Sequence, residues 1–413
     1  MRTSFSNMND AIARLAAHER IRAARQHIER TDEVTLARQA ALSAIPAPTG
    51  AETARAIRAA ELFREAGLEE VRIDEVGNVQ GWIRSNRSVE RPSTAPVVLA
   101  AHLDTVFGPE VRVAVERRGE RFEGPGISDN ARGLAALIAL AEALARNRVP
   151  LARPVLFAAT VGEEGSGDLR GSKHLFNSNR DSLRRPVAFI ALDGAGLERI
   201  VHRALGSKRY RATFRGPGGH SWAAFGIANP ANAVGRAVAL LADLPIKSNP
   251  RTTCAVVRLG GGIGLNSIPQ EAWLDLDLRS EDMQALAQLD VTMRAALERA
   301  VDDENRRRVA GSPRLRLDLQ LLGDRPSGTT PRTHPLVQAA LAANRALGKD
   351  GELVSASTDA NIPIALGIPA IALGAGGRAG DAHLPTEWYD NAEGALGVIR
   401  ALYVTAAMAE LQD

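Results

Sequence analysis

The chain has 413 residues, and 45% of them are apolar. A chain of this length is too long for one compact core and long enough for two domains. Its 51 basic and 48 acidic residues leave a net charge of only +3, which argues against the concentrated basic surface of a nucleic-acid-binding protein. The single cysteine, Cys254, excludes an internal disulfide, and the sequence has neither a long apolar run nor a signal core, so we expect a cytoplasmic protein without a membrane partner.

Helical and strand patterns alternate up to about residue 204, which is typical of a layered α/β domain. Apolar residues at helical spacing predict helices over 9–29, 35–44, 52–66 and 134–144. Strand patterns are predicted over 71–74, 79–83, 96–101, 154–161 and 186–192. The last three strands are continuous apolar runs, as expected for parallel strands that are buried on both faces.

The pattern changes between 205 and 322, where the elements follow the order strand, helix, strand, strand, helix, strand. Their predicted ranges are 208–215, 231–244, 252–259, 271–279, 281–304 and 315–322. This is the order of a ferredoxin-like unit, which folds on its own. Helix and buried-strand patterns return from Thr333, including a strand at 368–373. We therefore predict an α/β domain made of 1–204 and 323–413, with an inserted domain at 205–322.

Four buried runs of the predicted α/β domain lead into residue types that bind metals. In chain order these residues are His102 with Asp104, Glu163 with Glu164, Asp193, and His383 in a glycine-rich loop. Ligands bind outside the carboxyl ends of parallel strands, so one sheet edge would gather histidines and carboxylates. This mixture of donors suits zinc, cobalt or manganese better than calcium or magnesium.

The neighbouring carboxylates Glu163 and Glu164 should repel each other unless a cation or a shared proton offsets their charges. One of them could bind a metal while the other acts as a general base toward water. Asp104 would support the imidazole of His102, either directly or through local backbone. Asp129 precedes a predicted helix, where it could serve as an N-cap or as a ligand.

In their order, and with the insertion at this position, these residues resemble the co-catalytic zinc exopeptidase family of peptidase T, acetylornithine deacetylase and succinyl-diaminopimelate desuccinylase. The resemblance covers nearly the whole chain and implies a catalytic domain with a largely parallel, helix-flanked sheet plus a ferredoxin-like lid and dimerisation domain. Its motifs are His102-Leu103-Asp104, Asp129-Asn130, Glu163-Glu164, Asp193, Gly218-Gly219-His220-Ser221, Asn266-Ser267-Ile268-Pro269, Asp277-Leu278-Arg279, Ser357-Thr358-Asp359-Ala360-Asn361 and His383.

The resemblance implies an amide-cleaving hydrolase with two divalent metal ions, most simply Zn²⁺ and alternatively Co²⁺ or Mn²⁺. The implied metal ligands are Asp129 as the bridge, His102 and Asp193 on one ion, and Glu164 and His383 on the other. Glu163 would take a proton from the bridging water and return it to the leaving amine, and Asp104 would orient His102.

The inserted domain is implied to contribute His220, which in this family reaches the active site of a second subunit and stabilises the oxyanion, so we expect a homodimer. Asn266 and Arg279 would contact substrate, and the Arg279 guanidinium can grip a carboxylate with two hydrogen bonds. Arg132 and the pair Gly264-Leu265 depart from common family patterns, and we expect both departures to bear on substrate specificity.

These features predict an exopeptidase acting on short peptides. It could be an aminopeptidase, and the sequence leaves open which end of the peptide is trimmed. An N-acyl amino acid deacylase of the same family is the nearest alternative. A serine hydrolase using Ser221 is a further alternative, although the last glycine of its nucleophile motif is missing. A non-catalytic peptide-binding protein would be expected to lack the base, and Glu163 is present.

Overall fold

The computed structural model describes residues 5–84, 95–177, 185–246 and 248–412. The chain forms two compact units, one of Met1–Ala204 with Thr329–Asp413 and one of Leu205–Gly328. The second unit extends beyond the predicted boundary at 322 because its last strand continues to Arg325. Within the described ranges, none of the helices is both long enough and apolar enough to cross a membrane.

The helices and strands are numbered in chain order. The first segment of unit one contains α1 (Phe5–Ala17), α2 (Glu19–Arg30), α3 (Asp32–Ser43), α4 (Thr53–Glu65), β1 (Glu69–Ile73), β2 (Val79–Ile83), β3 (Val97–His102), β4 (Glu116–Arg118), β5 (Arg121–Glu123), α5 (Ala131–Arg146), β6 (Val155–Thr160), α6 (Arg170–Asn177), β7 (Ala188–Leu192) and β8 (Arg199–Ala204). The following elements are β9 (Gly206–Arg215), β10 (Gly219–His220), α7 (Pro230–Ala242), β11 (Thr252–Gly261), β12 (Ser267–Ile268), β13 (Glu271–Ser280), α8 (Met283–Arg307) and β14 (Arg316–Arg325). The closing segment contains β15 (Gly328–Thr329), α9 (Pro335–Ala346), β16 (Glu352–Ala356), α10 (Asn361–Ala365), β17 (Ala370–Leu373), β18 (Arg378–Gly380), β19 (Trp388–Asp390) and α11 (Gly394–Met408).

A mixed sheet forms the centre of unit one, with the order β1-β2-β6-β3-β7-β17-β8-β15 and with β16 paired to β8. Its four middle strands lie in the order β6, β3, β7 and β17, and each pair of adjacent strands in this set is parallel. All four are buried along their whole length, because helices cover both faces of the sheet. This mixed, largely parallel α/β architecture confirms the predicted fold class.

The residues of β3 alternate between two cores. Leu99 packs in the larger core, which also contains side chains of α5, α9 and α11. Val98 and Ala100 pack in a smaller core on the opposite face, which also contains side chains of α6 and α10. Since successive strand residues point to opposite faces, His102 follows Val98 and Ala100 and lies at the end of the smaller core.

The start of α5 is tied to the end of β7 through Asn130. The Asn130 side-chain oxygen accepts hydrogen bonds from the backbone N–H of Gly133 at 3.1 Å and of Gly194 at 3.2 Å, and its amide donates to the Leu192 carbonyl at 2.9 Å. A Cβ on residue 133 would lie 2.1 Å from the Asn130 oxygen, so glycine is required there. Asn130, and not Asp129, therefore caps the helix.

Unit two is a four-stranded antiparallel sheet with the order β11-β13-β9-β14 and two helices packed on one face. This is the ferredoxin-like arrangement expected from the element order in the sequence. Tyr210, Phe214, Leu274, Met293 and Leu297 are wholly buried in its core. A short ribbon made of β10 and β12 is added to this unit, with Gly219 paired to Ile268 and His220 to Ser267.

Candidate metal centre and active site

The predicted ligands of unit one meet at the carboxyl edge of the central sheet. Their side chains form three overlapping groups in which one ligand atom from each residue lies within 4.8 Å of the others. The groups are His102 with Asp129 and Asp193, Asp129 with Glu164 and His383, and His102 with Glu163 and Glu164. The site thus joins residues that are far apart in sequence. Asp129 and His383, for example, are separated by 254 positions in the chain, but their side chains lie 3.2 Å apart.

The Asp129 carboxylate stands between two histidines. Its Oδ1 lies 3.0 Å from His102 Nε2, and its Oδ2 lies 3.2 Å from His383 Nε2. Asp193 Oδ1 is 3.7 Å from the same nitrogen of His102, and Glu164 Oε1 is 3.2 Å from that of His383. One carboxylate therefore has one oxygen in each of two similar groups, each completed by a histidine and a second acid.

These distances fit a metal centre. Zinc binds nitrogen and oxygen ligands at about 2.0–2.2 Å, so the donors of one tetrahedral ion lie about 3.3–3.6 Å from one another. The separations around the two histidines range from 3.0 to 3.7 Å and need only small adjustments to reach these values. Each group also offers one imidazole and two carboxylates, a donor set that suits zinc and similar ions.

The same contacts govern the protonation of the histidines. Burial alone would lower the pKa of His102, but the nearby carboxylates of Asp104, Asp129 and Asp193 outweigh it and hold this pKa well above its ordinary value. Hydrogen bonds with Asp129 and Glu164 raise the pKa of His383 to about 10. The pKa of Asp129 is lowered, because the two histidines outweigh the effect of its burial. The carboxylates thus attract positive charge strongly, and protons take this role when no cation is bound.

Asp104 organises the backbone of the site. Its two carboxylate oxygens accept hydrogen bonds from the N–H groups of Glu163 and Glu164, both at 2.9 Å. His102 Nδ1 lies 3.0 Å from the Asp104 backbone carbonyl and 3.6 Å from its carboxylate. The nearest support for this imidazole is therefore the local backbone, while the carboxylate holds the turn that carries the two glutamates.

Sequence reasoning missed two further residues around this turn. Thr49 donates its hydroxyl hydrogen to Asp104 Oδ2 at 2.8 Å. Glu52 accepts the N–H of Gly162 at 3.1 Å and pairs with Arg170 at 3.1 Å. The chain break at 45–50 was visible in the sequence, but nothing in the pattern indicated that it returns to the ends of β3 and β6.

Glu387 is a third residue that the sequence analysis did not identify. It is completely buried, and its carboxylate accepts backbone hydrogen bonds from Gly126, Ser128 and Asp129. Burial raises the pKa of Glu387 to about 7, although the three hydrogen bonds oppose this effect. Its position shortly after His383 is the one sequence signal that could have indicated a role at the site.

Asp359 is buried behind the site, in the segment before α10. Its Oδ2 accepts the Thr160 hydroxyl hydrogen at 2.5 Å, and its Oδ1 has no hydrogen-bond partner among the described residues. Thr160 is the cross-strand neighbour of His102. Burial raises the pKa of Asp359 from 3.8 to about 6, with smaller contributions from its hydrogen bond and from charges including His102.

We expect Asp359→Asn to stabilise the metal-free protein at neutral pH. The native state of the wild type retains the Asp359 proton up to about pH 6, whereas the unfolded state loses it near pH 4, so stability falls as pH rises between these values. The shift amounts to at most about 3 kcal/mol, and asparagine avoids this loss. Chemical denaturation between pH 4 and 8 measures the difference, and the exposed Asp243→Asn variant is the control. A difference that does not change with pH would contradict this prediction.

Arg132 is buried in the packing of unit one, which does not favour the expected bearing on substrate specificity. Its side chain is completely buried, and it donates hydrogen bonds to the carbonyls of Ala375 at 2.8 Å and Gly394 at 2.6 Å. Its guanidinium also lies 5.2 Å from the ring centre of Tyr389. The arginine thus anchors two backbone segments of unit one, and its departure from the common pattern reflects packing.

The predicted substrate-binding residues of unit two lie on its ribbon and its sheet. His220 is exposed on β10, and its Nδ1 accepts the backbone N–H groups of Trp222 at 3.2 Å and Ala223 at 3.4 Å. The Asn266 carbonyl accepts the N–H of Ser221 at 2.8 Å, so Asn266, the residue before β12, lies at the end of the ribbon that carries His220. Arg279 lies on β13.

The Arg279 side chain already has one partner within unit two. Its Nε donates to the Asp277 carboxylate at 2.8 Å, and the side chain is 37% exposed. Because Asp277 accepts a hydrogen bond from Nε, this contact restrains the direction of the guanidinium.

Solved structures with this fold cover nearly the whole chain. The aminopeptidase PepT from Bacillus cereus matches with a TM-score of 0.71 at 20% identity, covering 92% of this chain and 99% of its own. A tripeptidase from Staphylococcus aureus matches with a TM-score of 0.72 at 22% identity, covering 91% and 98%. A Bacillus subtilis protein described as a dinuclear metal binding peptidase from the M20 family matches with a TM-score of 0.66 at 16% identity, covering 93% and 99%. At these identities the likeness establishes the shared fold.

Family membership rests on the sequence itself. A comparison with curated proteins gives no match. The sequence profile described as peptidase family M20/M25/M40 matches residues 98–409, which is about three quarters of the chain and includes every predicted ligand. This match confirms the resemblance inferred from the motifs. The chain therefore belongs to peptidase family M20/M25/M40 and is a metal-dependent hydrolase of that family.

Proposed function

We propose that this hydrolase is a two-metal exopeptidase that removes a terminal residue from short peptides. The single observation that carries the proposal is the Asp129 carboxylate, which has one oxygen in each of two groups of metal-ligand side chains. The similar folds described as an aminopeptidase, a tripeptidase and a dinuclear metal binding peptidase support this choice of substrate and metal number.

Two divalent ions, most simply Zn²⁺ and alternatively Co²⁺ or Mn²⁺, would be held by the two groups. One ion would have His102, Asp193 and Asp129 as ligands, and the other would have Glu164, His383 and Asp129. When bound, such a pair of ions polarises the scissile carbonyl and makes water acidic enough to lose a proton near neutral pH. Glu163 belongs to neither of these two ligand sets. One of its carboxylate oxygens nevertheless lies within 4.8 Å of ligand atoms of His102 and Glu164.

Glu163 is the proposed general base. Its side chain is buried beside the ligands, and Asp104 holds its backbone N–H at 2.9 Å. A carboxylate on a backbone held in this way can take a proton from water and later give it to the nitrogen of the leaving amine. Asp104 has an orienting role, since it holds the turn carrying Glu163 and Glu164 and supports His102 through its carbonyl.

His220 is the proposed donor to the oxyanion, acting in a homodimer on the active site of the second subunit. Two backbone N–H groups occupy its Nδ1, so the neutral imidazole carries its proton on Nε2 and presents a donor outward. Asn266, on the same ribbon, and Arg279 are the proposed substrate contacts. The Asp277 hydrogen bond to Arg279 Nε leaves the terminal nitrogens to bind a substrate carboxylate.

A serine hydrolase built on Ser221 has less support. In a catalytic triad the histidine donates its Nδ1 hydrogen to a carboxylate, whereas the Nδ1 of His220 accepts hydrogen bonds from backbone N–H groups. An N-acyl amino acid deacylase would use the same metal chemistry on a different substrate. We expect the enzyme to act on small substrates in the cytoplasm, and this location stays a prediction from the sequence.

We expect the metal-replete protein to release free amino acids from di- and tripeptides and to lose this activity after treatment with a chelator. Adding back Zn²⁺, Co²⁺ or Mn²⁺ should restore turnover, because the gathered side chains can bind an ion again. Product analysis by mass spectrometry, on a panel that also contains N-acyl amino acids, measures the preference. Replacing Ser221 with alanine serves as the control and should leave turnover nearly unchanged.

The other outcomes assign other functions. Turnover of only the N-acyl amino acids would indicate the deacylase. Turnover that is indifferent to chelator and abolished in Ser221→Ala would indicate the serine hydrolase. A metal-replete protein that binds peptides without cleaving any amide would contradict every enzymatic assignment made here.

A further inference from the structure

A buried glutamate outside the ligand set is joined to the loop that carries Asp129. The Glu387 Oε1 atom accepts the backbone N–H groups of Ser128 at 2.7 Å and Asp129 at 2.8 Å. Its Oε2 atom accepts the N–H of Gly126 at 3.0 Å. Backbone hydrogen bonds to a carboxylate are short and strong, and here three of them converge on one completely buried group.

The loop needs such a partner because its N–H groups point inward together. Gly126 has a φ of +73°, and a Cβ at this position would lie 2.6 Å from the Thr105 side chain, so the loop is closely packed on that side as well. Buried N–H groups that lose their acceptor destabilise the folded loop. Glu387 supplies both acceptor oxygens, and the Asp129 carboxylate therefore remains directed toward His102 and His383.

The loop and the segment containing His383 are also joined through backbone. The Gly124 N–H donates to the Glu387 carbonyl at 2.8 Å, and the Glu387 N–H donates to the carbonyl of Leu384 at 3.0 Å. A single short segment thus contributes His383 to one group of ligands and braces Asp129, the ligand common to both groups. Any change in the Glu387 contacts should be felt by both ions.

We propose that Glu387 is a positioning residue that sets the Asp129 carboxylate for both metal ions. This inference rests on the proposed two-metal function and adds a residue to it. Partners that orient metal ligands typically change metal affinity or activity by about 10- to 100-fold when they are replaced. Glu387 never contacts a reacting atom in this scheme, because its two oxygens are occupied by the loop backbone.

The informative substitution is Glu387→Gln. Glutamine has almost the same shape, but only one of its two terminal atoms accepts a hydrogen bond, so its NH₂ group must face a backbone N–H. The loop should then shift enough to misdirect Asp129. We expect Kd to rise about 10- to 100-fold for each of the two ions and kcat to fall by a similar factor, with KM much less affected.

Two comparison variants separate positioning from general destabilisation. Glu142→Gln removes another buried carboxylate, which pairs with Arg38 at 2.7 Å and Arg146 at 2.8 Å, and should lower the melting temperature without changing metal affinity. His383→Ala removes a ligand from one group only and should weaken one ion selectively. Isothermal titration of the metal-free proteins with Zn²⁺, together with the visible absorption of bound Co²⁺, measures both sites.

The outcomes are distinct. Weakening of both ions in Glu387→Gln, beyond any effect of Glu142→Gln, supports the inference. If Glu387→Gln had unchanged metal affinities and only a lower melting temperature, the inference would be overturned. It would also be overturned if Glu387→Gln weakened only the ion that His383→Ala weakens. If the wild-type protein bound no metal at all, the two-metal proposal would fail together with this one, whereas normal wild-type binding isolates the result for Glu387.

Discussion

Replacing Glu163 with glutamine should lower kcat by about 10²- to 10⁴-fold while the protein retains its full metal content. Glutamine has nearly the shape of glutamate but cannot accept the proton that water must lose. The surrounding structure should persist, because Asp104 binds the backbone N–H of residue 163 and not its side chain. Steady-state kinetics and elemental analysis of the same preparation measure turnover and metal content together.

Glu164→Gln is the matched control for this experiment, since the two glutamates are adjacent, similarly buried and bound through their N–H groups to the same carboxylate. Glu164 Oε1 lies 3.2 Å from His383 Nε2 within a ligand group, so its replacement should reduce metal content as well as turnover. If Glu163→Gln lost metal and Glu164→Gln kept it, the two roles would have to be exchanged.

Replacing His220 with alanine should lower kcat by about 10²- to 10³-fold, the usual effect of losing one oxyanion donor. The fold of unit two should persist, because His220 is exposed on a two-residue strand and contributes no side chain to the core. Kinetics, together with circular dichroism of the variant, measure these two effects. Metal content should stay unchanged, since all the proposed ligands belong to unit one.

Mixing the inactive His220→Ala and Glu163→Gln proteins tests whether the histidine acts across subunits. A mixed dimer then contains one site with both groups intact, and random exchange makes about half of the dimers mixed, so about one quarter of wild-type activity should return. Mixing His220→Ala with itself, after the same exchange procedure, is the control. Activity that stays at the level of the separate variants would indicate that His220 acts within its own subunit or has no catalytic part.

The sequence predicted which side chains of unit one the fold brings together, because simple patterns carry them. Buried parallel strands appear as continuous apolar runs, and the residues that follow them, such as His102 and Asp193, are easily found. The helical break at His18 was missed: its side chain accepts the N–H of Arg20 and starts a second helix within the predicted range 9–29. Such a local cap leaves the helical spacing of apolar residues unchanged.

The supporting residues were harder to predict for a physical reason. Glu387 and Thr49 act through hydrogen bonds to segments that are distant in sequence, and such contacts produce no periodic pattern. For Arg132 the sequence indicated the wrong kind of role, since its departure from the family pattern beside Asp129 suggested a bearing on substrate specificity, whereas burial against carbonyl groups explains it. The predicted ligands thus follow from the ends of strands, while the residues that would hold them in place depend on tertiary structure.

The capped start of α5 immediately after Asp129 has an electrostatic consequence. The peptide dipoles of a helix add to about half a positive charge at its N-terminus. In α5 this end adjoins Asp129, and Asn130 ties it to the backbone beside Asp193. The helix therefore offsets part of the repulsion among the acids, so these side chains can stay gathered and would bind cations with little rearrangement.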